Sequence, residues 1–270
     1  MAKLIICFHL FVLGMLYGLY PISNQTRIYF LDVAQGDATL IVTSRGHTIL
    51  IDAGPQQNIL APLAKYLPPF QSTLDLIIFT HPHADHIDGV LALTKHYRIG
   101  AFMLTDVDYK SINYEKVKNI AVTKNILLIR AQADEDLVID DITINILFPF
   151  ASLAKLAFAN INNASIVLQV EQGESKCLFS GDMEKELEGL LGNYYGKSLQ
   201  SNCLKVGHHG SKTSSTYPFL QLVNAQEMFI SVGRNNRYGH PNRATLYRLC
   251  GFGAVYRSDE VGTMGKFLLQ

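Results

Sequence analysis

Two stretches of this chain are built to one plan, and that repetition constrains the fold more than any other feature. In the first, residues 38–42 and 48–51 are strand-like, flank a turn at Gly46, and end in Asp52-Ala53-Gly54. In the second, residues 164–170 and 176–179 flank Gly173 and end in Ser180-Gly181-Asp182. Residues 38–43 are rich in β-branched residues, which strands favour. Helical stretches are expected over 58–66, stopped by Pro68-Pro69, and over 87–96, 184–191, 217–223 and 243–249. Further strands are expected over 27–33, 74–79, 101–104, 126–129, 203–206 and 227–232, with a hairpin over 137–147. Two similar β-rich halves, each with its own helices, predict two sheets packed face to face with helices outside. No low-complexity linker divides them, so residues 25–270 read as one α/β domain.

Ahead of it, residues 4–20 form an apolar run preceded by Lys3 and followed by a polar stretch. Residues 1–24 therefore read as a signal or membrane-anchor segment, favouring an uncleaved anchor, with the domain exported to the extracytoplasmic side. The four cysteines are widely spaced and form no CxxC pair. They look more like buried thiols than a disulfide framework.

The chemistry concentrates in Thr80-His81-Pro82-His83-Ala84-Asp85-His86, directly after a buried strand. Imidazole and carboxylate are the ligands that zinc and similar divalent metals take. Three histidines and an aspartate crowded into one loop bring a core nothing in return. Asp182, His208-His209 and His240 also fall just past strand ends, where α/β sites collect their polar groups. Each is weak alone, since a Gly-Asp pair is ordinarily a turn.

Charge adds a direction. The chain has 23 basic and 23 acidic residues, which excludes a simple polycation. Residues 197–257 nevertheless carry eight basic side chains against the single acid Glu227. That segment reads as a basic wall facing a polyanion. Within it Lys205, Ser211, Lys212, Thr213 and Ser214 offer cations and hydroxyls to a phosphate.

The HxHxDH loop, the later Gly-Asp and a final strand-end histidine resemble the metallo-β-lactamase superfamily. The finer pattern resembles the hydrolase domain of the ComEC family of DNA-uptake channel proteins. It is carried by residues 31–38, Ile51-Asp52-Ala53-Gly54, Leu178-Phe179-Ser180-Gly181-Asp182, the run 204–214 and Tyr238-Gly239-His240-Pro241. The resemblance implies a four-layer αββα sandwich holding two divalent metal ions, zinc or manganese. His81 and His83 would hold the first, Asp85 and His86 the second, Asp182 would bridge both, and His240 would complete the second. Asp52 would orient the histidine loop. Asp85, His208 and His209 would serve catalysis, the histidines by binding phosphate or protonating the leaving group, with a metal role for His208 kept open.

Two departures matter. The segment 160–165 holds Asn162 and no histidine where many superfamily members supply another ligand, which implies a weaker first site or a harder metal. Ala34 stands where the family has glycine. Asp32 and Asp37 read as turn residues or as residues that shape the cleft, with the structural reading favoured. The whole implies a metal-dependent phosphodiesterase or nuclease on DNA, single-stranded, connected with DNA uptake and partnered by a membrane channel. A phosphoesterase for a smaller or cell-wall substrate and a non-catalytic DNA-guiding module remain open. A β-lactamase is disfavoured, because the 207–214 loop suits phosphate better than a lactam.

Overall fold

The computed structural model describes residues 25–268, so the 1–24 segment lies outside the described residues. Fourteen strands form two seven-stranded sheets. The first sheet holds β1 (Arg27–Phe30), β2 (Thr39–Val42), β3 (Thr48–Ile51), β4 (Thr73–Ile78), β5 (Arg98–Leu104) and β6 (Leu127–Arg130). The second holds β7 (Leu137–Ile139), β8 (Ile142–Phe148), β9 (Val167–Gln172), β10 (Ser175–Phe179), β11 (Cys203–Lys205), β12 (Glu227–Ile230) and β13 (Ala254–Arg257). The last strand, β14 (Met264–Phe267), returns to the first sheet beside β1. Among the described helices are α1 (Leu60–Tyr66), α2 (Ala84–Ile87), α3 (Val90–His96), α4 (Ile112–Thr123), α5 (Lys185–Tyr195), α6 (Tyr217–Val223), α7 (Arg243–Cys250) and α8 (Ser258–Val261).

Side-chain alternation along the strands separates the layers. Ile41, Ile49 and Ile78 of the first sheet meet Ile144, Leu168 and Phe179 of the second in an inter-sheet core. On the outer face of the first sheet, Leu40, Leu50 and Ile77 pack against Leu63, Leu93 and Val117 of the helices. On the outer face of the second, Leu178, Leu204 and Met228 meet Leu187, Leu220 and Leu249. The layers run helix, sheet, sheet, helix, as the sequence implies. β3–β6 run parallel, and so do β10–β13, so each set ends on one edge of its sheet. The functional loops leave from those edges.

The structure departs from expectation in several elements. The helix expected over 87–96 is interrupted, because Gly89 sits against the backbone: a Cβ there would stand 1.9 Å from the Ala53 carbonyl oxygen. The preceding turn becomes the separate α2, which carries Asp85 and His86. α4 was not expected. It is capped by the Ser111 hydroxyl, which accepts from the Tyr114 N–H, and it buries Tyr114, Val117 and Ala121. Neither were β13 and β14, which are short and partly exposed.

The reading of the cysteines needs correction. Cys177 and Cys203 are joined by a disulfide and fully buried in the inter-sheet core. They face each other in register on the parallel neighbours β10 and β11, which a spacing of 26 residues does not reveal. Cys250 is free and exposed. A cross-link closing a loop of that length contributes about 3 kcal/mol. The double variant Cys177→Ala/Cys203→Ala is expected to lose about that much in urea unfolding, and an unchanged midpoint would refute it.

Ala34 lies in the left-handed region at φ +64° and is exposed. Asp32 Oδ1 accepts its N–H at 3.1 Å, fixing the turn. A β-carbon costs about 1–2 kcal/mol in that conformation, part of which glycine returns through unfolded-chain entropy. Ala34→Gly is therefore expected to stabilise the domain by about 0.5–1 kcal/mol, read as a raised urea midpoint with an unchanged slope.

Candidate metal centre

The histidine loop starts where β4 ends, and its first anchor is Asp52, buried just past β3. Asp52 Oδ1 accepts the Thr80 N–H at 2.7 Å, and Oδ2 accepts the Thr80 hydroxyl at 2.7 Å. The same Oδ2 lies 2.7 Å from His86 Nδ1. In that contact Nδ1–H donates to the carboxylate, which turns Nε2 toward the other acids. His86 Nε2 is 3.4 Å from Asp182 Oδ2 and 4.0 Å from Asp85 Oδ2. His81 Nε2 is 3.8 Å from Asp182 Oδ2 and 3.1 Å from His83 Nδ1.

The second sheet completes the arrangement from the opposite side. Asp182 follows β10, its N–H donated to the Ser165 hydroxyl at 3.1 Å. His208 and His209 follow β11 with φ of +46° and +51°, a left-handed pair that turns the two rings in different directions. His209 goes inward. Its Nε2 stands 3.3 Å from Asp85 Oδ2 and 3.6 Å from Asp182 Oδ2, while Nδ1 lies 2.9 Å from the Ser231 carbonyl. Among the described residues, His81, His86 and Asp182 form one group with ligand atoms mutually within 4.8 Å. Asp85, His86 and His209 form another.

Burial lowers the affinity of His81 and His83 for a proton, so these rings stay neutral with a lone pair available. Burial also opposes charge on His86, but Asp182, Asp52 and Asp85 overcome it and hold its imidazole well above its ordinary value. His209 is pushed up to about 10, against burial, by Asp182 and Asp37. Asp85 and Asp182 are held below the usual carboxylate range by the same imidazoles, despite their burial. The cluster thus demands positive charge among its carboxylates. His86 Nε2 and Asp182 Oδ1 are also buried without a hydrogen-bond partner. Orphaned polar atoms of this kind call for a ligand. Neutral imidazoles, carboxylates and two orphaned donor atoms fit divalent cations.

Other expected site residues are placed differently. His240 falls outside these ligand groups, its ring 5.4 Å from that of His208 and 6.5 Å from that of His209, and its Nδ1 is buried without a hydrogen-bond partner. Lys205 is not offered to a phosphate. Its Nζ is buried and donates to Asp37 Oδ2 at 2.7 Å and to the Val206 carbonyl at 3.1 Å. Ser214 is fully buried and donates to the Gly207 carbonyl, while Ser211 bonds the Thr213 hydroxyl at 2.8 Å. Of that set Lys212 is exposed and Thr213 half-buried.

The basic wall thins for the same reason. Arg248 turns inward onto the Ser214 and Ser215 carbonyls, and Arg257 pairs with Asp259 and Glu260. Lys197 lies with Asn202 and Gln226, at the far ends of β11 and β12 from the centre. Asp37 was read as structural and is so, yet it also touches the centre: its Oδ1 lies 3.4 Å from His209 Nδ1. Glu184 escaped sequence reasoning. It sits two residues after Asp182, and its Oε1 lies 2.8 Å from His208 Nδ1.

Residues 31–234 match the Metallo-beta-lactamase superfamily, a match that runs through β2–β12 and all the ligand groups described above. The chain belongs to that superfamily. Its fold is that of metal-dependent hydrolases. This chain is 31% identical over 266 residues to ComE operon protein 3 of Bacillus subtilis (strain 168), covering 91% of this chain and 34% of that protein. It is 28% identical to competence protein ComA of Neisseria gonorrhoeae, over 90% of this chain and 32% of that one. The chain thus spans about a third of the length of these curated relatives. The metallo-beta-lactamase fold protein YhfI of Bacillus subtilis superposes with a TM-score of 0.61 at 14% identity, over 90% of this chain and 99% of that one. No described helix is long and apolar enough to cross a membrane.

Proposed function

We propose that this domain is a metal-dependent phosphodiesterase that cleaves DNA, single-stranded, in the course of DNA uptake. The observation that carries the reading is Asp182, set between three imidazoles at the meeting edge of the two sheets. Lys212 and Arg237, on loops of the second sheet, and Arg243, which opens α7, are exposed. The competence role of the relatives supports the choice of DNA.

In this reading His81, His83 and Asp182 hold one ion, and Asp85, His86, His209 and Asp182 hold the other. Zinc or manganese held by these residues would supply Lewis acidity toward water and the phosphate oxygens. Asn162 stands beside the first position with its buried Oδ1 unpartnered, and an amide oxygen there favours the harder metal. Asp85 has a side chain 33% exposed and receives the proton of the attacking water. His208 is held by Glu184 and delivers a proton to the leaving oxygen. Burial lowers its proton affinity, but Glu184 and Asp182 more than restore it and raise it above the ordinary value. Lys212 meets the backbone, and binding falls steeply with salt. Export of the domain and a membrane-channel partner complete the proposal.

The test is turnover of an end-labelled oligothymidylate against bis(4-nitrophenyl) phosphate, with manganese or zinc. Cleavage of the oligonucleotide is expected to fall at least about a hundredfold in Asp85→Ala and in His86→Ala. Unchanged cleavage in both variants would sink the nuclease reading. Turnover of the small diester alone would favour a smaller natural substrate.

A further inference from the structure

Aromatic rings border the histidine set on two sides. Tyr109 stands edge-on to His83 with centroids 6.0 Å apart, and it is half-buried among apolar neighbours. Tyr238 differs. Its ring lies parallel to that of His240, 15° between planes and 6.0 Å between centroids, yet the residue is 54% exposed. The Arg237 guanidinium lies over the same ring, 5.0 Å from its centroid, and Nη2 donates to the tyrosine hydroxyl at 2.9 Å.

The loop that presents them is braced. Asn236 Oδ1 accepts the N–H groups of Tyr238 at 3.2 Å and His240 at 3.1 Å. Its Nδ2 donates to the His240 carbonyl at 2.6 Å and to the Gly233 carbonyl at 3.0 Å. The Gly233 N–H donates in turn to Gln35 Oε1 at 3.1 Å, tying the loop to the turn after β1. The braced loop thus holds a large, half-exposed ring in water, two residues from His240 at the border of the centre.

We infer that Tyr238, covered by Arg237, is a stacking platform for one unpaired base beside the scissile phosphate. The inference rests on the phosphodiesterase reading and gives it a means of choosing single strands. Base–aromatic stacking tolerates any sequence, because every base has a π-face. The exposed guanidinium moves off the ring as the base arrives and meets the neighbouring phosphate, a planar fork suited to that ligand. A base in a duplex would first have to leave its own stack, at a cost of a few kcal/mol.

The probe is a phosphorothioate-linked oligothymidylate carrying one 2-aminopurine, which resists hydrolysis and whose fluorescence is quenched on stacking. Wild-type protein is expected to quench it. Tyr238→Ala is expected to lose the quench and bind roughly tenfold more weakly, while Tyr238→Phe keeps both. Quench and affinity unchanged in Tyr238→Ala would overturn the platform. An equal loss on single strand and duplex would overturn it too, as would loss of bound metal, which would make the ring a support for His240. Because binding is read without turnover, wild-type quenching with no cleavage of ordinary oligothymidylate leaves the platform standing and removes the nuclease reading alone.

Discussion

Asp182→Asn is expected to lose bound metal and DNA cleavage together, the latter by about a thousandfold. The carboxylate lies 3.4 Å from His86 Nε2, 3.6 Å from His209 Nε2 and 3.8 Å from His81 Nε2, so it serves both proposed positions at once. The amide preserves shape and removes the charge that draws a cation there. Lewis-acid stabilisation is worth several kcal/mol, and each 1.36 kcal/mol is a factor of ten in rate. The fold should survive, because Asp182 is anchored through its backbone N–H to Ser165. Elemental analysis and a cleavage assay on the same preparation check this. A variant with a full metal complement and unimpaired turnover would refute the assignment.

Lys205→Met should cost stability. Its ammonium is paired with Asp37 inside the protein, and burial would raise that carboxyl were it not held at about 2 by Lys205 and His209. Removing one partner of a buried pair leaves the other charge uncompensated, a loss of about 3–5 kcal/mol. The double variant Lys205→Met/Asp37→Asn should recover much of it, since no naked charge remains. Urea unfolding of the three proteins decides. Weakened DNA binding with unchanged stability would return Lys205 to the phosphate.

The sequence carried the layers and the histidine loop well, because both are written locally. Asp52, residues 80–86 and Asp182 each close a strand, and strand ends converge when strands run parallel. What it hid depends on direction. His208 and His209 follow the same strand, and only the left-handed backbone at both shows which ring turns inward. One signal for Lys205 was available: strand alternation puts it on the same face as Cys203, toward the interior. The disulfide was invisible because it depends on the register of β10 against β11. α4 was overlooked because exposed Ile112 and Val122 blur its apolar stripe, although Ser111 marks its start.

The placement of the centre has a consequence for assembly. The first half of the chain supplies Asp52 and the histidine loop, and the second supplies Asp182 and His209. Among the described residues, only Asp37, Asp52 and His86 group within the first half, and the other three of the four ligand groups draw on both halves. An ion bound there rivets one half to the other and draws its affinity from their docking. By mass action it returns that affinity as stability, about 2.7 kcal/mol at a free concentration a hundred times the dissociation constant. A chain whose second half had not yet docked would lack Asp182 and His209 at the centre, so the proposed hydrolysis would switch on only as the sandwich closes.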